Sequence, residues 1–115
     1  MKLLSVVGTR PNFMKLAPLA RAVAAHRDVK HVVVHTGQHY DVNMSDAFFK
    51  DLALAPPEYH LAVGAASAPA QTAAVIGALE QILKKESPDQ VVVYGDVTST
   101  LAAAVVAAQS RIPVP

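Results

Sequence analysis

Four glycines mark the places where this chain could do chemistry. Gly8, Gly37, Gly64 and Gly95 each directly follow an apolar run of strand length. Glycine relaxes the backbone at a tight strand-to-helix turn and lets the main chain come close to a ligand. Beyond these glycines stand Thr9, Arg10, Asn12 and Lys15, then Gln38, His39, Tyr40 and Asp41, then Ser67 and Gln71, then Asp96, Thr98, Ser99 and Thr100. If the apolar runs are parallel strands, the turns share one edge of a sheet and their polar residues converge. Cations, carboxylates, hydroxyls and amides beside helix N-termini suit a phosphorylated, hydroxyl-rich ligand. A helix N-terminus favours an anion by roughly 0.3–1 kcal/mol at an exposed site, and Arg10 could add a bidentate contact to phosphate oxygens. Ordinary turns of any α/β domain account for the same glycines, and spacing alone leaves both readings open.

Asp96 has two readings of its own. It follows Val91-Val92-Val93-Tyr94-Gly95 and precedes a helix-like segment, so it could cap that helix. If Thr98 or Ser99 caps instead, Asp96 faces the cleft, where a partly desolvated carboxylate can act as general acid or base. Two familiar phosphate motifs are missing. Gly8 is followed by Thr9 and Arg10, which rules out a G-x-G-x-x-G fingerprint, and no P-loop pattern occurs. His35 and His39 are four residues apart, but they span a strand end and a loop, so a metal site is not expected. His26, His31 and His60 are read as surface or element-end residues.

These residues need a scaffold, and the apolar pattern supplies one. Leu3 to Val7, His31 to Thr36 and Val91 to Tyr94 read as buried parallel strands. His60 to Val63 reads as a shorter one. Pro11 to about His26 carries Leu16, Leu19, Ala20 and Val23 on one helix face, with a kink or late start expected at Pro18. Gly37 to Asp41 reads as a loop and Asn43 to Leu52 as a short helix. Gln71 to Lys85 is an amphipathic helix with Val75, Ile76, Leu79, Ile82 and Leu83 in a stripe, stopped by Ser87-Pro88-Asp89. Ser99 to Gln109 is a further helix, with Leu101, Val105 and Ala108 expected to face inward, and Ile112-Pro113-Val114 resembles the opening of another strand. The alternation predicts an α/β fold: a parallel sheet with helices on both faces.

Composition narrows the function. The chain has 115 residues, 52% hydrophobic and 17% charged, which fits one domain with an apolar core. Ten Lys and Arg against nine Asp and Glu leave a net charge of +1, so no broad surface for nucleic acid or anionic membrane is expected. There is no cysteine, which excludes thiolate metal sites and cysteine nucleophiles. The basic, apolar start runs into Gly8-Thr9-Arg10-Pro11 rather than a cleavage site. A cytoplasmic protein is expected.

Taken together, the segments resemble the non-hydrolysing UDP-N-acetylglucosamine 2-epimerases. Gly8-Thr9-Arg10-Pro11-Asn12-Phe13-Met14-Lys15 is similar to the opening of that family, and Thr36-Gly37-Gln38-His39-Tyr40-Asp41 with Met44 to a second stretch. Pro88-Asp89, the run ending in Gly95-Asp96, and Ser99-Thr100-Leu101-Ala102 resemble a third. The resemblance implies a GT-B-like enzyme of two Rossmann-like domains. Residues 1–115 would then be a truncated N-terminal Rossmann-like domain, with the C-terminal domain absent and no epimerase activity in the piece alone. It implies interconversion of UDP-N-acetylglucosamine and UDP-N-acetylmannosamine for surface polysaccharide, without metal or cofactor, in a homodimeric parent. By the same resemblance Asp96 and Lys15 hold catalytic places, and Arg10, Gln38, His39 and Ser99 substrate-binding ones. A hydrolysing 2-epimerase and a non-catalytic nucleotide-sugar-binding fragment are the alternatives.

Overall fold

The computed structural model describes residues 1–8, 10–36, 57–61, 67–94 and 98–114, with the backbone alone for 10–13, 68, 98 and 99. Among the described residues the elements are four strands and three helices in the order β1 (Lys2–Val7), α1 (Arg10–Ala24), β2 (Lys30–His35), β3 (Tyr59–His60), α2 (Ala68–Glu86), β4 (Gln90–Val93) and α3 (Thr98–Gln109). The strands form one parallel sheet in the order β3-β2-β1-β4. Leu4 of β1 lies abreast of Val32 in β2 and of Val91 in β4. The first strand is therefore central, which is why its residues read as a continuous apolar run. Both neighbours cover its edges and helices cover its faces.

Side-chain alternation sorts the core into two layers. Leu4, Val6, Val32, Val34 and Val91 pack with Leu79, Ile82 and Leu83 of α2 and with Ala103, Val106 and Ala107 of α3. On the opposite face Val7 and Val33 pack with Tyr94 and with Leu16 of α1. The expected fold, a parallel sheet with helices on both faces, is the one observed.

The helix ends have local causes. Ser67 caps α2: the Ala70 N–H donates to Ser67 Oγ at 3.3 Å, and a proline stands in the first turn where its missing N–H is harmless. At the other end Ser87 takes a left-handed conformation (φ 46°), and its N–H donates to the Leu83 carbonyl at 2.9 Å.

Some expectations need correction. The first helix runs through Pro18 without a late start. Pro18 is exposed, so the carbonyl that loses its partner can turn to water. The third helix is rotated from its expected phase: Ala102, Ala103, Val106 and Ala107 are buried, whereas Leu101 is 59% exposed and Ala108 is exposed. That helix carries no charged residue, so no polar stripe fixes its orientation, and small alanines let it approach the sheet and α2 closely. The third strand starts at Tyr59 and holds two residues. Beside β4, the Val91 N–H donates to the Pro113 carbonyl at 3.0 Å, a single ladder bond from the expected further strand. The expected loop 37–41 and helix 43–52 lie outside the described residues.

Candidate functional site

The carboxyl ends of all four strands lie along one edge, and the chain order makes a topological switch there. From β1 the chain goes to β2 on one side, while β4 lies on the other. In open parallel sheets this is where ligands bind, in the crevice beyond the strand ends. The edge is closed by backbone hydrogen bonds. The Thr36 N–H donates to the Val7 carbonyl at 2.9 Å, and the Leu61 N–H donates to the His35 carbonyl at 2.8 Å. Thr36 is fully buried.

Among the described residues, the first turns of the three helices start from this edge and contain no acidic residue. Their N-terminal partial charges are therefore not neutralised by their own side chains, which favours an anion. The first helix begins at Arg10, three residues past the end of β1. Lys15 stands on the same helix, exposed, and has no ion-pair partner among the described residues. Ser99 lies in the first turn of α3. The side chains of Arg10 and Ser99 are not described, and Gln38, His39 and Asp96 lie outside the described residues. Tyr94, two residues before Asp96, is buried at the end of β4.

Below the edge, the α1 face carries a polar group that the sequence pattern did not reveal. Ser5 Oγ lies 2.7 Å from His31 Nε2 and 3.0 Å from the Tyr94 hydroxyl. Burial pushes the His31 pKa down, against an opposing pull from the Glu58 carboxylate. Burial raises that of Tyr94, opposed by its hydrogen bond to Ser5. Ser5 thus joins His31 and Tyr94 in one hydrogen-bonded chain on this face. Strand alternation could have flagged Ser5, since it stands between Leu4 and Val6 in a fully covered strand.

The histidines also differ from expectation. His35 is fully buried and stacks on His60, with ring centroids 4.6 Å apart. Burial and the nearby His60 push its pKa down to about 4. His60 Nε2 is buried without a hydrogen-bond partner. His31 and His60 are half-buried and stand near strand ends, and strand pairing places His60 abreast of His35. His26 is exposed, as expected. Among the described residues no group of three or more His, Cys, Asp or Glu could hold a metal ion, and no helix is long and apolar enough to cross a membrane. A shallow groove of about 290 Å³ between the C-terminal ends of α2 and α3, lined by Leu83, Lys84, Ser87, Pro88, Ser110 and Ile112, lies at the other end of the sheet.

Known proteins resemble this chain in sequence and fold. A UDP-N-acetylglucosamine 2-epimerase homolog of Methanococcus maripaludis is 41% identical over 114 residues, which are 99% of this chain and 31% of that protein. A UDP-2,3-diacetamido-2,3-dideoxy-D-glucuronate 2-epimerase of Pseudomonas aeruginosa is 37% identical over 99% of this chain and 32% of its own length. The crystal structure of Methanocaldococcus jannaschii UDP-GlcNAc 2-epimerase in complex with UDP-GlcNAc and UDP superposes with a TM-score of 0.93 at 41% identity, covering 99% of this chain and 31% of that one. The chain thus spans about a third of the length of these relatives. The sequence profile described as UDP-N-acetylglucosamine 2-epimerase matches residues 21–115. On profile, identity and fold, the chain belongs to the UDP-N-acetylglucosamine 2-epimerase family.

Proposed function

We propose that this chain is the N-terminal, Rossmann-like part of a cytoplasmic, homodimeric GT-B enzyme. That enzyme interconverts UDP-N-acetylglucosamine and UDP-N-acetylmannosamine for surface polysaccharide. The observation that carries the proposal is the edge where β1 and β4 end side by side, with Arg10 opening α1 directly beyond it. Family membership supplies the substrate class.

The C2 proton of the sugar has no neighbouring carbonyl, so direct abstraction is very difficult. In the proposed route the C1–O bond to UDP breaks first and its electron pair leaves with the diphosphate. Oxocarbenium character at C1 then acidifies C2, a base takes that proton, and a glycal forms beside UDP. Proton return on the opposite face and re-addition of UDP at C1 invert C2. The α1 N-terminus with Arg10 and Lys15 would stabilise the departing diphosphate. Asp96 would act as general acid or base near C2, and Gln38, His39 and Ser99 would bind the nucleotide sugar.

In the full-length protein carrying this chain, Asp96→Asn is expected to lower turnover by about 10²–10⁴. Near-wild-type turnover would remove Asp96 from the mechanism. Turnover in D₂O should place deuterium at C2, and its absence would reject elimination. Free N-acetylmannosamine as product would identify the hydrolysing alternative. The similarity to the Pseudomonas aeruginosa enzyme supports a second reading, a 2,3-diacetamido uronic acid substrate. Higher kcat/KM with that nucleotide sugar would favour it.

A further inference from the structure

The edge strand β3 is two residues long, and ionisable side chains fasten it to the rest of the described structure. Just ahead of it, Glu58 grips the Val33 backbone of β2 twice. Its N–H donates to the Val33 carbonyl at 3.0 Å, and its Oε2 accepts the Val33 N–H at 2.6 Å. The Tyr59 hydroxyl donates to Glu86 Oε2 at the end of α2, and Lys85 Nζ lies 5.8 Å from the Tyr59 ring centroid. Glu86 is fixed in turn by Lys2 Nζ of β1, 3.2 Å from its Oε1. On the opposite face His60 stacks on the fully buried His35, and His60 Nε2 is buried without a hydrogen-bond partner. Tyr59 and Leu61 add partial apolar contact with the core. The inner strands β1, β2 and β4 rest instead on a continuous apolar layer.

A buried polar atom without a partner has given up water and gained nothing for it. Opening of β3 returns water to His60 Nε2 and lets the His35 ring take a proton. We propose that β3 is an acid-releasable edge: below neutral pH it detaches from β2 while β1, β2 and β4 stay folded, baring the outer edge of β2. Burial and the nearby His60 hold His35 at about 4 in the closed strand, against an ordinary value of 6.5. Between these values release takes up a proton. The released fraction therefore rises about tenfold per pH unit as the pH falls from 6.5, and levels off near 4. Glu86 acts later, since its bonds to Tyr59 and Lys2 keep its carboxyl below the ordinary range. Of the other described ionisable groups nearby, His31 and Lys30 lie on β2 and feel Glu58 and Glu86 respectively. From α1 the sheet receives Leu16 and Ala17, with Lys15 and Arg21 exposed. The bared β2 edge would offer backbone donors and acceptors for pairing with another strand.

The experiment is amide hydrogen exchange on the full-length protein carrying this chain, from about pH 7.5 to 4.5, corrected for the intrinsic pH dependence of exchange. Protection at residues 58–61, which includes the Leu61 N–H bonded to the His35 carbonyl, should fall about tenfold per pH unit below 6.5. Protection in β1 and β4 should stay within about threefold over the same range. His35→Gln removes the titrating ring and should abolish most of the pH dependence at 58–61. His60→Phe keeps a ring on His35 and removes the unpartnered nitrogen. It should raise protection at 58–61 about fivefold at neutral pH, and it carries the test where His35→Gln does not fold. Protection at 58–61 that does not change with pH overturns the proposal, as does a fall that persists in full in His35→Gln. A fall shared equally by β1 and β4 overturns it too, because the release is then not confined to β3. Unchanged protection in His60→Phe does the same.

Discussion

On the side covered by α2 and α3, the sheet turns Leu4, Val6, Val32, Val34 and Val91 onto a wholly apolar layer of Leu79, Ile82, Leu83 and small alanines. On the side covered by α1, the same strands turn Ser5, His31 and His35 inward among Val7 and Val33. Hydrocarbon packing has no direction: it rewards volume and punishes holes. Hydroxyls and imidazoles are directional, and each must find its partner or lose the solvation it gave up. The polar side is also the one holding Tyr94, whose main chain leads on to Asp96. One face of the sheet therefore holds the domain together, and the other fixes where its strand ends point.

The largest effect is expected on the apolar side. Leu79 is fully buried at the α2–sheet contact, and Leu79→Ala should lower the unfolding free energy by about 2–5 kcal/mol. Urea unfolding should show this loss to be the same at pH 5 and pH 7.5, since no titrating group is involved. A pH-dependent loss would blur the distinction between the faces.

The polar side should respond to acid. The His35 pKa in the folded protein, about 4, lies below its ordinary value of 6.5. Between those values the unfolded chain holds a proton that the folded chain does not. This contribution is complete above about pH 6.5 and disappears as the pH falls towards 4, by about 3 kcal/mol for the full shift. His31 is shifted in the same direction. Urea midpoints should drop across this window and the slope should flatten in His35→Gln. An unchanged slope in that variant would move the acid sensitivity elsewhere.

Smaller effects separate the members of the polar chain. Ser5→Ala removes the hydrogen bonds to both the Tyr94 hydroxyl and His31 Nε2, and should cost about 2 kcal/mol. Tyr94→Phe leaves Ser5 bonded to His31 and should cost about 1 kcal/mol. Equal losses would mean that the chain acts through Tyr94 alone. The smallest change is a gain. Gly77 lies on the exposed side of α2, and a Cβ added there would meet no atom within 4 Å. Gly77→Ala should add about 0.5–1 kcal/mol of stability.

How far these features could be read from residue order follows the same division. Continuous apolar runs announced β1, β2 and β4, and the stripe from Val75 to Leu83 announced α2, because burial on two faces or on one face leaves a simple pattern. The third helix was legible as a helix but not in its rotation, since every side of it is apolar or small. The Ser5–His31–Tyr94 and His35–His60 contacts join residues from different strands, and only register brings them together. For the candidate site, strand order pointed to the edge where the strands end, and the helix expected from Pro11 begins one residue earlier, at Arg10. The groupings among Arg10, Lys15 and Asp96 depend on turns, which carry no periodicity from which to infer a conformation.

Within this chain the central strand precedes both of its partners. Lys2, at its start, is held by Asp89: the Lys2 N–H donates to Asp89 Oδ2 at 2.6 Å across 87 residues. During translation β1 can zip to β2 early, but its other flank waits for β4. Until residues 90–93 emerge, the nascent chain thus displays an unmatched hydrophobic edge, the kind that recruits chaperones or sticks to neighbouring nascent chains. Slowing translation before residue 90 should therefore lower the yield of native protein more than slowing it afterwards.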